Sequence, residues 1–165
     1  MRYKGQVISI DAYAAFTIII LLLAFILTNW NQTANELRQR EIRSEITLSA
    51  ISISDSLVKS AGDPSSWEGE PNLNMLGLVT EDHILNRNKL IAFVGLNETA
   101  LKDFLGVQRY NFYFRATQKG TLVNLDGVKL SVGPYPTSSA TIITNSQRVA
   151  ILNNTYVNLN FIVWR

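Results

Sequence analysis

An uninterrupted apolar run near the N-terminus constrains this chain more than any other feature. The run covers residues 12–30, carries no charge, and has only Thr17, Thr28 and Asn29 as clearly polar residues. As an α-helix it is roughly 28 Å long, about the thickness of the hydrocarbon core of a bilayer. A helix that is apolar on every face has no polar side to turn toward water. The sequence therefore predicts a membrane-spanning helix over residues 12–30.

The charge pattern predicts how that helix is oriented. Arg2 and Lys4 precede it, and cations that flank a membrane helix stay on the cytoplasmic side. Residues beyond the helix are therefore expected outside the cell. The chain has 15 Lys and Arg against 13 Asp and Glu, and these two cations account for the whole excess (15 − 2 = 13). No basic surface is left to indicate nucleic acid as a partner.

Three kinds of N-terminal segment share this pattern. A cleaved secretory signal has a shorter apolar stretch and a small-residue cleavage site, whereas this run ends in the sequence TNWN. A plain signal anchor fits the length and the charge. The third kind is indicated by the sequence KGQ, which resembles the class III signal of archaeal type IV pilin-like proteins. The resemblance implies that a prepilin peptidase removes residues 1–5 by cutting between Gly5 and Gln6, and that the helix stays in the mature protein.

Asp11 is a carboxylate at the start of the apolar run. A simple interpretation places it at the depth of the lipid headgroups, where a charge costs little. The pilin resemblance implies instead a contact with the free α-amino group of Gln6 on a neighbouring subunit. That family usually has the acidic residue as the fifth of the mature chain, whereas Asp11 would be the sixth. The implied partners are the membrane, like subunits, the prepilin peptidase, and a pilus assembly platform with its ATPase.

The helical period continues beyond the apolar run. Apolar or small residues recur at helical spacing at Ile42, Ile46, Ser49, Ile53 and Leu57. This stripe fits a helix that packs on the chain's own globular part, and a coiled coil is the alternative. We therefore expect one helix over residues 6–60, with a membrane half at 12–30 and an amphipathic stalk at 31–60.

A loop over residues 61–75 is predicted to follow the helix. Gly62 supplies a left-handed cap, and Pro64 cannot continue the helix. Trp67 is expected to anchor the loop on the domain, since an exposed indole would be unusual. The remaining residues, 76–165, show short helix and strand patterns: helices at 88–94 and 98–105, and strands at 110–117, 122–125, 128–132, 140–144, 148–152 and 156–163.

The predicted fold class is α+β: a long N-terminal helix followed by a small, mainly antiparallel β domain with short helices. Asn97 is expected to cap the second short helix, Gly106 to end it, and Asp126-Gly127 to form a hairpin turn. The segments GDPSSWE, LGLV, NRNKL and LKDFLGVQRYNFYF also resemble a recurrent family of archaeal exported proteins with class III leaders. That second resemblance implies the architecture and no defined activity.

The sequence carries little that indicates catalysis. Cysteine is absent and His83 is the only histidine, so we expect no catalytic residue, no cofactor and no metal site, and the chain is not predicted to be an enzyme. Three N-x-[ST] sequons make Asn153, Asn97 and Asn31 possible sites of N-glycosylation.

These features together predict a type IV pilin-like structural subunit of an archaeal cell-surface filament. It would be held in the cell membrane by one helix, with its C-terminus outside, until it is assembled. The first alternative is an extracellular binding domain that is anchored by the same helix and never polymerises. The second is an anchored surface enzyme, which would need a cleft of converging titratable groups that the sequence does not reveal.

Overall fold

The fold comes from a computed structural model, which describes residues 4–70 and 73–165, with side chains described from residue 10 onward. Residues 1–3 of the predicted leader and residues 71–72 of the predicted loop lie outside the described residues. The chain divides into two compact units, one that ends at Ile42 and one that spans Arg43–Arg165.

The predicted long helix is confirmed. Helix α1 runs from Lys4 to Lys59 as one uninterrupted α-helix. The amide of Ser60 still donates to the carbonyl of Ser56 at 2.9 Å, and the chain then turns away at Gly62, whose φ is +88°. A left-handed backbone at this point favours glycine, as the sequence indicated.

The second unit contains two further helices and nine short or medium strands among the described residues. Helix α2 spans Arg87–Gly95 and helix α3 spans Glu98–Leu105. A 3-10 turn, Trp67–Gly69, lies in the loop after α1. The strands are β1 (Val79–Glu81), β2 (Ile84–Leu85), β3 (Asn111–Gln118), β4 (Thr121–Leu122), β5 (Asn124–Leu125), β6 (Val128–Lys129), β7 (Ser131–Val132), β8 (Ile143–Leu152) and β9 (Thr155–Trp164).

Three long strands form the centre of the main sheet. Its order is β1-β2-β8-β9-β3-β4, with β7 also paired to β3, and among the described strands only the β2–β8 pair is parallel. Strand β9 lies between β8 and β3 and pairs with both in continuous antiparallel register. The predicted α+β class with a mainly antiparallel sheet is therefore confirmed.

Local signals in the sequence placed several element ends correctly. The Asn97 side chain accepts a hydrogen bond from the amide of Thr99 at the start of α3, and Gly106 ends that helix with φ +69°. Asp126 and Gly127 both have positive φ in the turn between β5 and β6, which is the backbone of a tight hairpin.

The strand predictions were wrong in two regions. The predicted strands at 122–125 and 128–132 are each two short strands, β4 with β5 and β6 with β7. The sequence favoured separate strands at 140–144 and 148–152, whereas β8 is a single strand, Ile143–Leu152. The polar residues Asn145, Ser146 and Gln147 gave the appearance of a break. Within β8 they alternate between the two faces of the sheet, and Ser146 is buried against Ser54 of α1. A strand can carry polar residues at its centre when one face meets a hydroxyl partner and the other face is exposed to water.

One face of the sheet packs against helices and forms the core. Phe112 of β3 stacks on Phe161 of β9, with ring centroids 5.7 Å apart. Phe114 meets Phe93 of α2 edge-to-face at 5.0 Å. Three residues of the predicted stripe on α1 are buried within this unit: Ile46, Ile53 and Leu57. The interpretation in which the stripe packs on the chain's own domain is therefore confirmed.

Trp67 anchors the loop after α1, as expected. Its side chain is 3% exposed, and its Nε1 donates to the carbonyl of Gly77 at 2.8 Å. Lys89 joins two nearby segments, because its buried Nζ donates hydrogen bonds to the carbonyls of Ala61 at 2.7 Å and Val79 at 3.0 Å. Burial lowers the pKa of the Lys89 ammonium, and the charge of Glu68 opposes that shift.

Candidate functional site

The first unit exposes a long apolar surface. Every side chain over residues 10–33 is exposed, including Phe16, Leu21, Phe25 and Trp30. A soluble protein rarely leaves a continuous apolar surface of this length in contact with water. By length and composition, α1 is sufficient to cross a bilayer. The structure thus contains one candidate membrane span within the described residues.

The three polar residues of the apolar run 12–30 each donate a hydrogen bond within the helix itself. The hydroxyls of Thr17 and Thr28 donate to the carbonyls of Tyr13 and Ala24, each at 2.8 Å. The amide of Asn29 donates to the carbonyl of Phe25 at 2.7 Å. Hydrogen bonds to the carbonyl four residues earlier remove much of the cost of placing these groups in hydrocarbon. The three polar positions in the run are therefore compatible with a lipid environment.

Asp11 is exposed and lies far in sequence from any other charged residue. It is the only charged residue of the sequence between Lys4 and Glu36. The bond between Gly5 and Gln6, the predicted processing site, lies in the first turn of α1, and the side chains at that site lie outside the described residues. Among the described residues, Asp11 belongs to none of the ion pairs, so its carboxylate is available for a partner on another molecule.

The second unit holds its part of α1 on the sheet through matched polar pairs. The hydroxyl of Ser54 bonds that of Ser146 at 2.7 Å in a buried setting, and the hydroxyls of Thr47 and Thr144 are 3.3 Å apart. Each pair joins the helix to β8. Small hydroxyl residues at these positions let helix and strand approach closely, while each hydroxyl finds the partner that burial requires.

An ion pair completes this contact. The Nε of Arg148 on β8 donates to Oδ1 of Asp55 on α1 at 2.6 Å, and Lys59 lies 3.6 Å from the other carboxylate oxygen. The hydrogen bond from Arg148 holds the pKa of Asp55 below its ordinary value. The sequence stripe indicated that this helix face would pack, but it gave no sign of the strand that would supply these partners.

Tyr110 links α1 to the start of β3. Burial raises the pKa of the Tyr110 hydroxyl, and the nearby Glu45 carboxylate of α1 adds to that rise. The sequence did not indicate that Glu45 and Tyr110 would lie near each other.

The three candidate glycosylation residues are all exposed and lie in different elements. Asn153 is in the turn between β8 and β9, where Asn153 and Asn154 both have positive φ. Asn97 uses its side-chain oxygen to cap α3. Asn31 lies within α1, next to the apolar segment. The structure does not bring these residues together.

The residues considered for catalysis or metal binding do not converge within the described part of the chain. His83 sits in the turn between β1 and β2 with φ +62°, and its Nδ1 is 2.8 Å from the carboxylate of its neighbour Asp82. Its backbone is used structurally, since its amide donates to Val58 at 2.9 Å and its carbonyl accepts from Ile151 at 2.8 Å. No group of three or more metal-binding side chains occurs among the described residues.

Comparison of the chain with protein-family models, with curated proteins and with solved structures finds no match. Among the described residues, two features of α1 bear on function: its exposed apolar segment and the packing of its later part on the sheet.

Proposed function

We propose that this chain is a type IV pilin-like structural subunit of an archaeal cell-surface filament. The observation that supports the proposal best is the uninterrupted helix α1. Its first part is apolar and exposed on all sides, and its later part is fixed to a β domain by Ser54, Asp55 and a buried apolar stripe. A subunit of this kind needs both properties in one helix.

In the proposed pathway, the membrane holds the subunit first. Arg2 and Lys4 stay in the cytoplasm, so the β domain lies outside. A prepilin peptidase then cuts between Gly5 and Gln6, and the apolar helix is retained as the membrane anchor. This step requires only that the cut precede the apolar segment, as the KGQ sequence places it.

Assembly then exchanges lipid for neighbouring helices. Helix packing offers little hydrophobic gain over lipid, so specific polar contacts must supply part of the preference. Asp11 is suited to this role because it has no other charge near it in sequence. In the proposed filament its carboxylate pairs with the α-amino group of Gln6 on a neighbouring subunit. An assembly platform and its ATPase would draw each helix out of the membrane.

A permanently anchored binding domain is the alternative function. The same exposed helix would serve as a simple anchor, and like subunits would not associate. Under this alternative the Asp11 carboxylate stays among the lipid headgroups, where it makes no contact on which function depends.

Replacing Asp11 separates the two functions. We expect Asp11→Ala to leave membrane insertion unchanged, since the apolar run remains, and to abolish filaments because the carboxylate is lost. Insertion is measured by membrane fractionation and filaments by electron microscopy of the source cells. Asp103→Ala is the matched control, because it removes an exposed carboxylate from the β domain. Normal filaments in Asp11→Ala cells would favour the simple anchor.

A further inference from the structure

A row of polar side chains crosses the face of the sheet that is turned away from α1. Gln147 of β8 is directly opposite Asn160 of β9, Asn160 is opposite Arg115 of β3, and Arg115 is opposite Ser131 of β7. Residues directly opposite one another point to the same face of a sheet. With neighbouring strands about 4.8 Å apart, the row is about 14 Å long.

Arg115 is an uncompensated cation in the middle of this row. Its Nε is buried and has no hydrogen-bond partner, and it belongs to none of the ion pairs, among the residues that the structure describes. The residues of β3, β8 and β9 on this face include no Asp or Glu. By contrast, Arg148 on the other face forms an ion pair with the carboxylate of Asp55. These three strands therefore offer Arg115 no carboxylate on its own face, and a ligand can supply one.

The neighbours of Arg115 both donate and accept hydrogen bonds. Asn160 is 5% exposed and lies at the centre of the sheet, and Gln147 is exposed beside it. Asn145 and Asn158 occupy the adjacent rows on the same face. Each side-chain amide offers an acceptor oxygen and two donor hydrogens in one plane. Such a set matches a ligand whose hydroxyl groups also donate and accept.

Tyrosine rings flank the polar row. Tyr113 lies on the same face of β3 as Arg115 and meets Tyr135 edge-to-face, with ring centroids 5.3 Å apart. Tyr135 is 61% exposed, and Tyr156, on the same face of β9, is 75% exposed. A tyrosine ring presents an apolar surface with a polar end. The C–H faces of sugar rings pack well against such surfaces.

We propose that this polar row binds an acidic polysaccharide, a polyhydroxylated chain that carries carboxylate groups. Arg115 pairs with a carboxylate, whose two oxygens match the planar guanidinium fork. The exposed amide of Gln147 binds the hydroxyl groups, and the tyrosines contact the ring faces. The site is complete within one subunit, so the proposal holds whether or not the chain forms filaments.

Binding is tested on the full-length chain in detergent micelles by calorimetry. The probe is an alginate oligosaccharide, which is a chain of uronic acids, and a dextran oligosaccharide of equal length is the neutral comparison. Arg115→Gln removes the charge, and Gln147→Ala removes an exposed amide without disturbing the core. Arg109→Gln is the matched control, because it removes an exposed arginine that lies outside β3, β8 and β9.

We expect alginate to bind, and we expect the affinity for dextran to be lower by about tenfold or more. Arg115→Gln should lower the alginate affinity by about tenfold or more, Gln147→Ala by severalfold, and Arg109→Gln by about twofold at most, since a hydrogen bond to a charged group carries most of the energy. If Arg115→Gln fails to fold by circular dichroism, Gln147→Ala decides the question. The proposal would be overturned if alginate did not bind, or if the two arginine variants lost equal affinity. Polyglutamate, an acidic chain without sugar rings, serves as a further probe. The proposal would also be overturned if polyglutamate bound as tightly as alginate and Gln147→Ala had no effect.

Discussion

The backbone at the end of α1 packs tightly against Gly77. Gly77 lies against the backbone of Ser60 and Gly62, and a Cβ built at Gly77 would overlap the carbonyl oxygen of Ser60 and the amide nitrogen of Gly62. The carbonyl of Gly77 also accepts the hydrogen bond from Trp67. The glycine is required here for its lack of a side chain, since its φ is not in the left-handed region.

We predict that Gly77→Ala destabilises the second unit by about 2 kcal/mol or more, because the backbone must shift to accept the methyl group. The free energy of unfolding is measured by chemical denaturation of the full-length chain in detergent. Gly95→Ala is the control, since a Cβ at Gly95 meets no heavy atom within 4 Å. That control should be neutral or slightly stabilising, as expected for alanine in a helix. Equal stability of the two variants would contradict the close packing at Gly77.

The Asp55–Arg148 pair predicts a dependence of stability on acid pH. The pKa of Asp55 is lowered in the folded protein from its ordinary value of 3.8, chiefly by the hydrogen bond from Arg148. A lowered carboxyl pKa stabilises the fold fully above the unfolded pKa, and that contribution is lost as the pH falls through the folded pKa. We therefore expect Asp55→Asn to lower the unfolding midpoint at pH 7 and to have progressively less effect below about pH 4.

Thermal unfolding between pH 2.5 and pH 7 measures this difference. In an Arg148→Gln background, the same Asp55→Asn change should show a much smaller pH dependence, because the main cause of the lowered pKa is gone. A constant difference between the wild type and Asp55→Asn across this pH range would contradict the role of the pair.

At the scale of elements, α1 was the most predictable part of the chain. Its length follows from two continuous helical patterns with no glycine or proline between Gln6 and Ser60. The stripe that packs on the sheet was also readable, because Ile46, Ile53 and Leu57 recur at helical spacing. The sequence did not predict which residues this helix face contacts, because the partners on β8 lie about ninety residues later in sequence.

Strand β8 shows where the sequence was insufficient. Its central residues are polar for two separate reasons: Ser146 meets a hydroxyl of α1, while Asn145 and Gln147 lie on the opposite face. Alternation of this kind is visible only once both neighbours of the strand are known. The polar row around Arg115 was missed for the same reason, because its members come from four strands.

At the scale of the whole molecule, the two units differ in the solvent that suits their surfaces. The unit that ends at Ile42 exposes an apolar helix, whereas the unit Arg43–Arg165 buries four phenylalanines at its core and keeps most of its charges in water. One chain can have both properties stably if the first unit lies in lipid or among like helices. Membrane anchoring followed by assembly meets that requirement.

The proposed filament and the proposed polysaccharide site are independent at this scale. The first depends on Asp11 and the exposed apolar helix, and the second on Arg115 and the sheet face. Loss of filaments in Asp11→Ala should therefore leave alginate binding unchanged, and loss of alginate binding in Arg115→Gln should leave filaments intact.

The first residue of the native protein, read by N-terminal sequencing after isolation from its source cells, tests the central claim most directly. The account predicts Gln6 as that residue, with the apolar helix still attached to the β domain. A native chain that retains residues 1–5, or one that begins beyond Trp30, would contradict it.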